Sequence, residues 1–592
     1  MKNNKFFLAV SLLAVGLLAS CSLDREPHDP MTVTKFDQDA VFAKIYATFG
    51  TTGQKGPDGS GDVDGIDEGT SSFYRMFWEL NEFCTDDGWW IWNDVGLAEI
   101  RTQEWDKANA LVRGLYSRLY FDITLCNHFL DKTREATDEK TLKQIAEVRM
   151  IRAINYYYMV DMFCGGPMCL TVTPDNPMPA TRSEMYRWLV AECKDLCGDD
   201  NDISADTEAA FKEKFPAHTI RPYGNNLPDT RESTYRVDRS VAWFLLMRLY
   251  LNQPIYASDS PSKKAPVGNC YHSAAWYASR VIKESGRHLL TGDAANYVAS
   301  PDSVQDDVAT YSAYQKLFMG DNDKNGAQDE ALLLIYQDAN FCQSWGGARF
   351  VINACRDGNM VPSGSADSWS CFRTSPELIK LFFNGDEAEA TRAHEYEMPI
   401  HAQDDRATFC SYYVKSDSAR TTTEWTLAGG KAADFYASWA DAKWTGIYST
   451  SKNPYVWASP VGEALWPDTD IPLFRVAEAY LTYAEAVLQG GNEAQGLTAK
   501  ECVDAIRNRA HASTDYTLDT DFMLKEWARE FHAEGIRRTV LVRYGQFAGD
   551  AASMTWEGHT AGRDAKYNVY PIPETDETAN KNLVGLNAAI GY

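Results

Sequence analysis

The sequence predicts an all-α protein, a scaffold of tetratricopeptide-like helical hairpins that supports an irregular, loop-rich half. Three observations point there. Apolar residues recur at helical spacing along most of the chain. The helical stretches come in pairs divided by turn residues. Residues 291–470 break the pattern with a composition rich in Gly, Ser, Asp, Trp and Tyr.

From Trp105 the positions Ala108, Val112, Leu115, Leu119, Ile123, Cys126 and Leu130 fall on one helical face. Leu142 to Phe163 continues in helical register and stops at Gly165-Gly166-Pro167, residues that end helices. Arg182 to Leu196 follows, and Val237, Val241, Phe244, Leu245 and Arg248 keep a single face. Ala274 to Lys283 is closed by Gly286. Val476, Ala479, Tyr480, Tyr483, Ala484 and Val487 repeat the stripe, Gly490-Gly491 ends it, and Lys500 to Ala510 opens another helix. The expected hairpins are 105–130 with 142–163, 182–197 with 237–252, and 473–489 with 499–510. The last has tetratricopeptide size, and insertions hide a strict repeat in the others. Between 291 and 470 only short strands, such as Ala331–Tyr336, and brief helices, such as Pro376–Phe383, are expected. The rest reads as loops on a rigid support, where binding usually resides.

The N-terminus has basic Lys2 and Lys5, an apolar run from Phe6 to Leu18, and Leu18-Ala19-Ser20-Cys21. This is the pattern of a secretory signal over 1–20 with a bacterial lipobox, so Cys21 is the expected lipidation site. Several acyl chains there would anchor the chain stably. Residues 21–34 read as a polar tether reaching at most ~50 Å. The remaining organisation is a helical scaffold over 35–290 with a loop at 85–94, the loop-rich region 291–470, and a C-terminal hairpin and tail over 471–592. The net charge of −26 becomes −28 once Lys2 and Lys5 are removed, which disfavours nucleic acid and anionic lipid as partners. Twelve cysteines follow Cys21 without a CxxC, which in a chain this long is no disulfide scaffold.

Catalytic and metal signals are weak. Asp321-Asn322-Asp323-Lys324-Asn325-Gly326 begins like a calcium loop, with Asp321, Asp323 and Asn325 as first ligands and Gly326 at the turn. Leu332 stands where a bidentate glutamate is needed, so an acidic turn is the simpler reading and no cofactor is expected. HExxH, paired Cys/His spacing and GxSxG do not occur, and Gly59-x-Gly61 lacks the rest of a phosphate fingerprint. Glu530, Glu534, Arg537 and Arg538 crowd one predicted helix, where Glu534 would pair with Arg537 and Arg538 as a structural ion cluster.

The stretch TDDGWWIWND, Thr85 to Asp94, is different. Trp89, Trp90 and Trp92 sit among acids and a glycine. Neither a strand nor a helical turn points all three one way, so at least one is expected to pack inward. A ring left outside would serve as a platform. Pyranose rings lay flat C–H faces on an indole while their hydroxyls seek carboxylates and amides, here Asp86, Asp87, Asn93 and Asp94. Trp345, Trp369 and Arg373 in the loop-rich half are candidates to join them.

Several segments together resemble one family: AEVRMIRAINYYYMVDMFCGGP (146–167), TRSEMYRWLVAECKDL (181–196), YRVDRSVAWFLLMRLYLN (235–252), DIPLFRVAEAYLTYAEAV (470–487), EWAREFHAEGIRRTVLVRYGQF (526–547) and NVYPIPETDETAN (568–580). The chain resembles the SusD/RagB family of outer-membrane nutrient-binding lipoproteins over essentially its whole mature length. The resemblance implies an all-α SusD-like fold with four tetratricopeptide-like hairpins and a surface lipoprotein anchored in the outer membrane. It also implies that the protein captures glycans for a TonB-dependent transporter without chemistry of its own. The tail NKNLVGLNAAIGY and Thr539 depart from the family's usual Gln-Asn-Pro-Gly-Tyr ending and aspartate, and both concern scaffold.

The expected function is therefore a non-enzymatic oligosaccharide receptor. Trp89, Trp90, Trp92 and Trp369 would stack sugars, Trp345 would add to them, and Asn93, Asp94 and Arg373 would bond hydroxyls. Two rivals differ in class. A peptide receptor of the same architecture would use its acidic loops and weaken strongly with salt. A surface glycoside hydrolase would need a pair of carboxylates, which the sequence does not single out.

Overall fold

Period-3.6 stripes and their capping residues become helices in the places expected. The computed structural model describes residues 36–57, 59–199, 213–215, 227–292, 311–356, 364–365, 367–369, 371–382, 404–411, 439–449, 466–556 and 558–592. The signal 1–20, Cys21 and the tether 21–34 lie outside them. The chain divides into Met1–Val41, of which residues 36–41 begin a helix, and Phe42–Tyr592.

The helices that matter here are α1 (Gln38–Ala47), α2 (Phe73–Glu82), α3 (Ala110–Thr133), α4 (Glu139–Phe163), α5 (Arg182–Cys197), α6 (Arg239–Leu251), α7 (Cys270–Glu284), α8 (Ala348–Cys355), α9 (Ala477–Leu488), α10 (Ala499–Arg509), α11 (Thr520–Phe531) and α12 (Arg537–Tyr544). Their ends follow local chemistry. Asp138 caps α4 by accepting from the Thr141 N–H. Thr181 with Glu184, and Thr498 with Glu501, form reciprocal capping boxes at α5 and α10. Gly198 closes α5 in the left-handed region.

Helices adjacent in this order pack side by side: α2 on α3, α3 on α4, α4 on α5, α5 on α6, α6 on α7, α7 on α9 and α9 on α10. The three expected hairpins are present as α3/α4, α5/α6 and α9/α10, and α7 fills the space between the last two. Each hairpin buries its neighbour's apolar stripe, the logic of a solenoid. From Gln144 to Phe163, α4 is buried all round, so its charges must be paired. Arg149 forks Glu192 on α5 at 2.9 and 2.8 Å and reaches Asp195 at 2.7 Å.

Among the described residues, eight short strands pair as four antiparallel ladders: β1 (Gly88–Trp90) with β5 (Phe372–Thr374), β2 (Gly165–Pro167) with β3 (Pro179–Thr181), β4 (Ala331–Ile335) with β8 (Ile471–Arg475), and β6 (Phe409–Ser411) with β7 (Trp439–Asp441). The Gly165-Gly166-Pro167 stop is thus also a strand. Cys164 at φ 57° ends α4, and Gly165 at φ 109° passes the Ala180 carbonyl so closely that a Cβ would meet it at 2.6 Å.

The acid–base cluster differs from expectation. α11 stops at Phe531 and α12 starts at Arg537, so Glu534 lies in the turn between them. Glu534 binds Arg475 at 2.8 Å and Lys443 at 2.7 Å rather than Arg537 and Arg538. Arg537 turns instead to Asp86, and Arg538 to Asp161. Glu530 accepts from Arg475 at 2.6 Å and also from Arg509, while Arg406 reaches Glu526 at 2.8 Å. These groups are fully buried, and the three arginines beside it hold the Glu530 carboxyl far below the ordinary carboxylate range against the opposing effect of burial. Thr539 donates to Asp161 at 2.9 Å, a bond that an aspartate in its place would not make. At the tail, the Trp105 indole donates to the Tyr592 hydroxyl at 2.7 Å.

Candidate functional site

The tryptophan-rich segment leaves α2 through a clamp. The Asp86 carboxylate accepts both arms of Arg537, at 2.7 and 2.6 Å. Asp87 is buried beside it, and burial pushes its carboxyl up to about 6. Asp86 therefore fastens the segment from below, and neither acid faces a ligand, contrary to expectation. The chain then enters β1, which pairs Gly88 with Thr374, Trp89 with Arg373 and Trp90 with Phe372. Gly88 is required there, because a Cβ would run into the Arg373 carbonyl and the Phe372 ring. The ladder continues as Ile91 N–H donates to the Cys371 carbonyl at 2.8 Å. The two sequence-predicted groups, 89–94 and 369–373, are thus brought together, although nearly 280 residues separate them.

The ladder sorts the indoles. Trp89 and Trp90 are 9% and 3% exposed, so the expectation that both are platforms is corrected. Trp90 fills an aromatic core, stacked on Phe83 at 4.9 Å and Phe350 at 5.7 Å. Its indole N–H donates to the Asp94 carboxylate at 2.7 Å. Arg373 is buried in β5 and is likewise no surface partner for hydroxyls. Trp92 is 47% exposed and leans edge-on against Trp90 at 5.8 Å. It belongs to an exposed run, Ile91 to Val95, that includes Asn93 and Asp94.

Phe350 on α8 is the hub of this face. Trp369, half-buried, meets its edge at 5.9 Å. The Arg75 guanidinium from α2 lies 4.1 Å over its ring. Arg75 Nε donates to Glu79 at 2.9 Å, and its two other nitrogens have no partner among the described residues. Glu79 is fully buried, and burial raises its pKa against the lowering effect of Arg75, with Asp94 raising it further.

The residue before Phe350 on α8 faces elsewhere. Consecutive helical residues diverge by about 100°, so Arg349 turns to a second aromatic group. Its guanidinium lies 4.0 Å from the Trp345 ring and 4.5 Å from that of Trp466, and it pairs with Asp367. Trp345 and Trp466 meet edge-to-face at 5.0 Å. Trp345 is half-buried, wedged against Gly69, where a Cβ would stand 2.8 Å from its own. Arg75, Arg349 and Trp466 were not singled out from sequence. The i, i+4 pair of Arg75 with Glu79 inside the apolar run FYRMFWELNE was the available signal for the first. The sequence carries no comparable signal for Trp466.

At the acidic turn, Asp321 is buried and its oxygens take donors from the chain: Ser449 N–H at 2.9 Å, Ser449 hydroxyl at 2.8 Å and Asn325 Nδ2 at 3.1 Å. The Asn325 Oδ1 accepts from the Ala327 N–H at 3.0 Å. The turn closes through these bonds, with the acidic residues as acceptors. No cluster of three His, Cys, Asp or Glu with metal-holding geometry occurs among the described residues.

The face as a whole offers indole surfaces, an open guanidinium edge and nearby carboxylates on a rigid support. It suits a neutral polar ligand with flat apolar faces. The SusD family model matches residues 343–591. The starch-binding protein SusD of Bacteroides thetaiotaomicron is 32% identical over 97% of this chain and 96% of its own. The fold is shared with surface glycan-binding protein A from Bacteroides fluxus, at TM-score 0.59 and 16% identity, covering 91% of this chain and 95% of that one. It is shared also with surface glycan-binding protein A from Bacteroides thetaiotaomicron in complex with laminarihexaose, at TM-score 0.56 and 15% identity, covering 92% and 98%. With that identity sustained from end to end and the helical-hairpin fold in common, the chain belongs to the SusD family.

Proposed function

We propose that this protein is a cell-surface glycan receptor that captures oligosaccharides on the α8 face and passes them to a TonB-dependent outer-membrane transporter. The observation that carries the reading is the exposed Trp92, which leans on Trp90 where that indole stacks on the buried Phe350, the ring that Trp369 and Arg75 also contact. A pyranose stacks its C–H face on an indole, and Arg75, Asn93 and Asp94 would bond its hydroxyls. Trp345, stiffened by Arg349 and Trp466, would hold a further sugar unit. Stacked rings and neutral hydroxyls require no metal and no bond cleavage. The relatives named above for starch and laminarihexaose support glycan as the ligand class. Cys21 would carry the lipid anchor and hold the body at the outer surface.

Calorimetry of the purified soluble body against a panel of plant and host oligosaccharides tests the reading. We expect at least one ligand with an affinity that salt changes little. Strong salt dependence with basic peptides and no glycan binding would replace it by the peptide reading. Product release from a polysaccharide would replace it by a hydrolase.

A further inference from the structure

The loop 336–347 that carries Trp345 starts at a second feature. A cavity of about 210 Å3 opens between the end of α1, strand β4 and the first residues of this loop. Its walls include Tyr46, Phe49, Tyr235, Leu333, Tyr336 and Phe341. Their polar atoms are engaged elsewhere. The Tyr46 hydroxyl donates to Glu147 at 2.6 Å and accepts from the Val237 N–H at 3.2 Å. The Tyr235 hydroxyl donates to Asp470 at 2.8 Å, and that of Tyr336 bonds Asp338. The Cys342 thiol donates to the Tyr336 carbonyl at 3.1 Å, and burial pushes it up to about 12, so it brings no thiolate. A guest therefore meets mainly ring faces and aliphatic carbon.

The mouth is marked. Phe341 is 84% exposed and Tyr336 40%. Large rings left in water beside an apolar cavity identify a place where something apolar is covered. Size and chemistry narrow the guest. An apolar cavity of about 150 Å3 takes a benzene ring, so this one accommodates a substituted ring. A saccharide inside it would lose water bonds without replacement, at about 1–3 kcal/mol for each hydroxyl. The cavity is also tied to the aromatic face. Gln337, beside Tyr336, accepts from the Ala348 N–H at the start of α8 at 3.1 Å, and Ser72 at the start of α2 donates to the Gly346 carbonyl at 2.7 Å.

We propose that this cavity binds one uncharged aromatic ring, carried as an aryl or aryl-ester substituent on the saccharide held at the α8 face. The link to a saccharide rests on the function proposed above, and the aromatic site itself does not. The mature protein is titrated with p-cresol by calorimetry. Ala43→Phe, on an exposed position of α1 that lines the cavity, plugs it, and Phe341→Ala strips its mouth. Saturable binding is expected in the wild type and in Trp92→Ala, weakened about tenfold by Ala43→Phe and roughly threefold by Phe341→Ala, with thermal unfolding unchanged. The inference is overturned by any of four results: no saturable binding up to about 10 mM, binding that Ala43→Phe leaves intact, binding that Trp92→Ala abolishes, or tighter binding of n-hexanol than of p-cresol. A second arm compares an oligosaccharide from the panel with its 4-methylphenyl glycoside. The aryl form should bind more tightly to the wild type and equally to Ala43→Phe. Equal affinities in the wild type would sever the cavity from the glycan. Pocket-dependent p-cresol binding by a protein that takes no oligosaccharide would defeat the glycan reading and leave the aromatic site standing.

Discussion

The ion-paired interior beneath α11 and the aromatic face on α8 put arginine to opposite uses. Below α11, Arg406, Arg475 and Arg509 are fully buried and pair with Glu330, Asp404, Glu526, Glu530 and Glu534. On the face, Arg75 lies over a phenyl ring and makes one side-chain bond among the described residues, to Glu79, with part of its guanidinium at the surface. Tryptophan divides the same way. Trp90 is walled in by Phe83 and Phe350, while Trp92, two residues on, is half in solvent. A satisfied group fixes the fold and has little left for a ligand. An unsatisfied one contributes little to stability and is available. The boundary between the two regions runs within a single segment, 86–95.

That contrast breaks or sharpens at defined places. The largest effect is expected from Glu530→Gln, which strips the common partner of Arg475 and Arg509. Loss of one member of a buried pair costs about 3–5 kcal/mol, read by chemical denaturation, and a loss below about 1 kcal/mol would put this network in the class of surface pairs. Trp90→Ala should cost a similar ~3–5 kcal/mol, as for other buried aromatics. Asp122 supplies a pH test. Burial pushes its carboxyl up to about 7 from an ordinary 3.8, although hydrogen bonds from Asn155 and Thr48 pull the other way. The folded state then keeps a proton that the unfolded chain releases. This contribution is fully present below about pH 4 and is lost as pH rises through about 7, a few kcal/mol at ~1.4 per unit. Asp122→Asn should flatten that slope in thermal melts at pH 5 and pH 8; equal slopes would mean that Asp122 titrates normally.

On the face the expected signs reverse. Trp92→Ala should weaken glycan binding by about tenfold, ~1.4 kcal/mol, with an unchanged melting temperature. A drop in stability without a drop in affinity would move Trp92 into the core class. Arg75→Gln, which keeps a donor but loses the charge and the fork, should cost about 1 kcal/mol of affinity; an unaltered calorimetric titration would remove it from the site.

The scaffold was legible because its signals are local. The stripe from Ala108 to Leu130 and the stop after Phe163 each need only a few neighbouring residues to be read. The meeting of 89–94 with 369–373 was legible as chemistry, two tryptophan groups with polar neighbours. The choice of which indole faces out was not. It is set by register with β5 and by contact with Phe350, both distant in sequence. The same reason hid the partners of Glu534. Arg537 and Arg538 sit at helical spacing from it, but the chain breaks between α11 and α12, and Arg475 and Lys443 arrive from other strands and loops.

The grip of Arg537 on Asp86 has a further consequence. It lies ahead of β1, and together with the indole of Trp90 it seals everything on its inner side from change at the tip. Ile91, Trp92, Asn93 and Val95 can therefore diverge between descendants of this gene without unfolding them, whereas Asp94 is held to its place by the Trp90 indole. A handful of codons then suffices to change what the tip presents while the body that displays it stays the same.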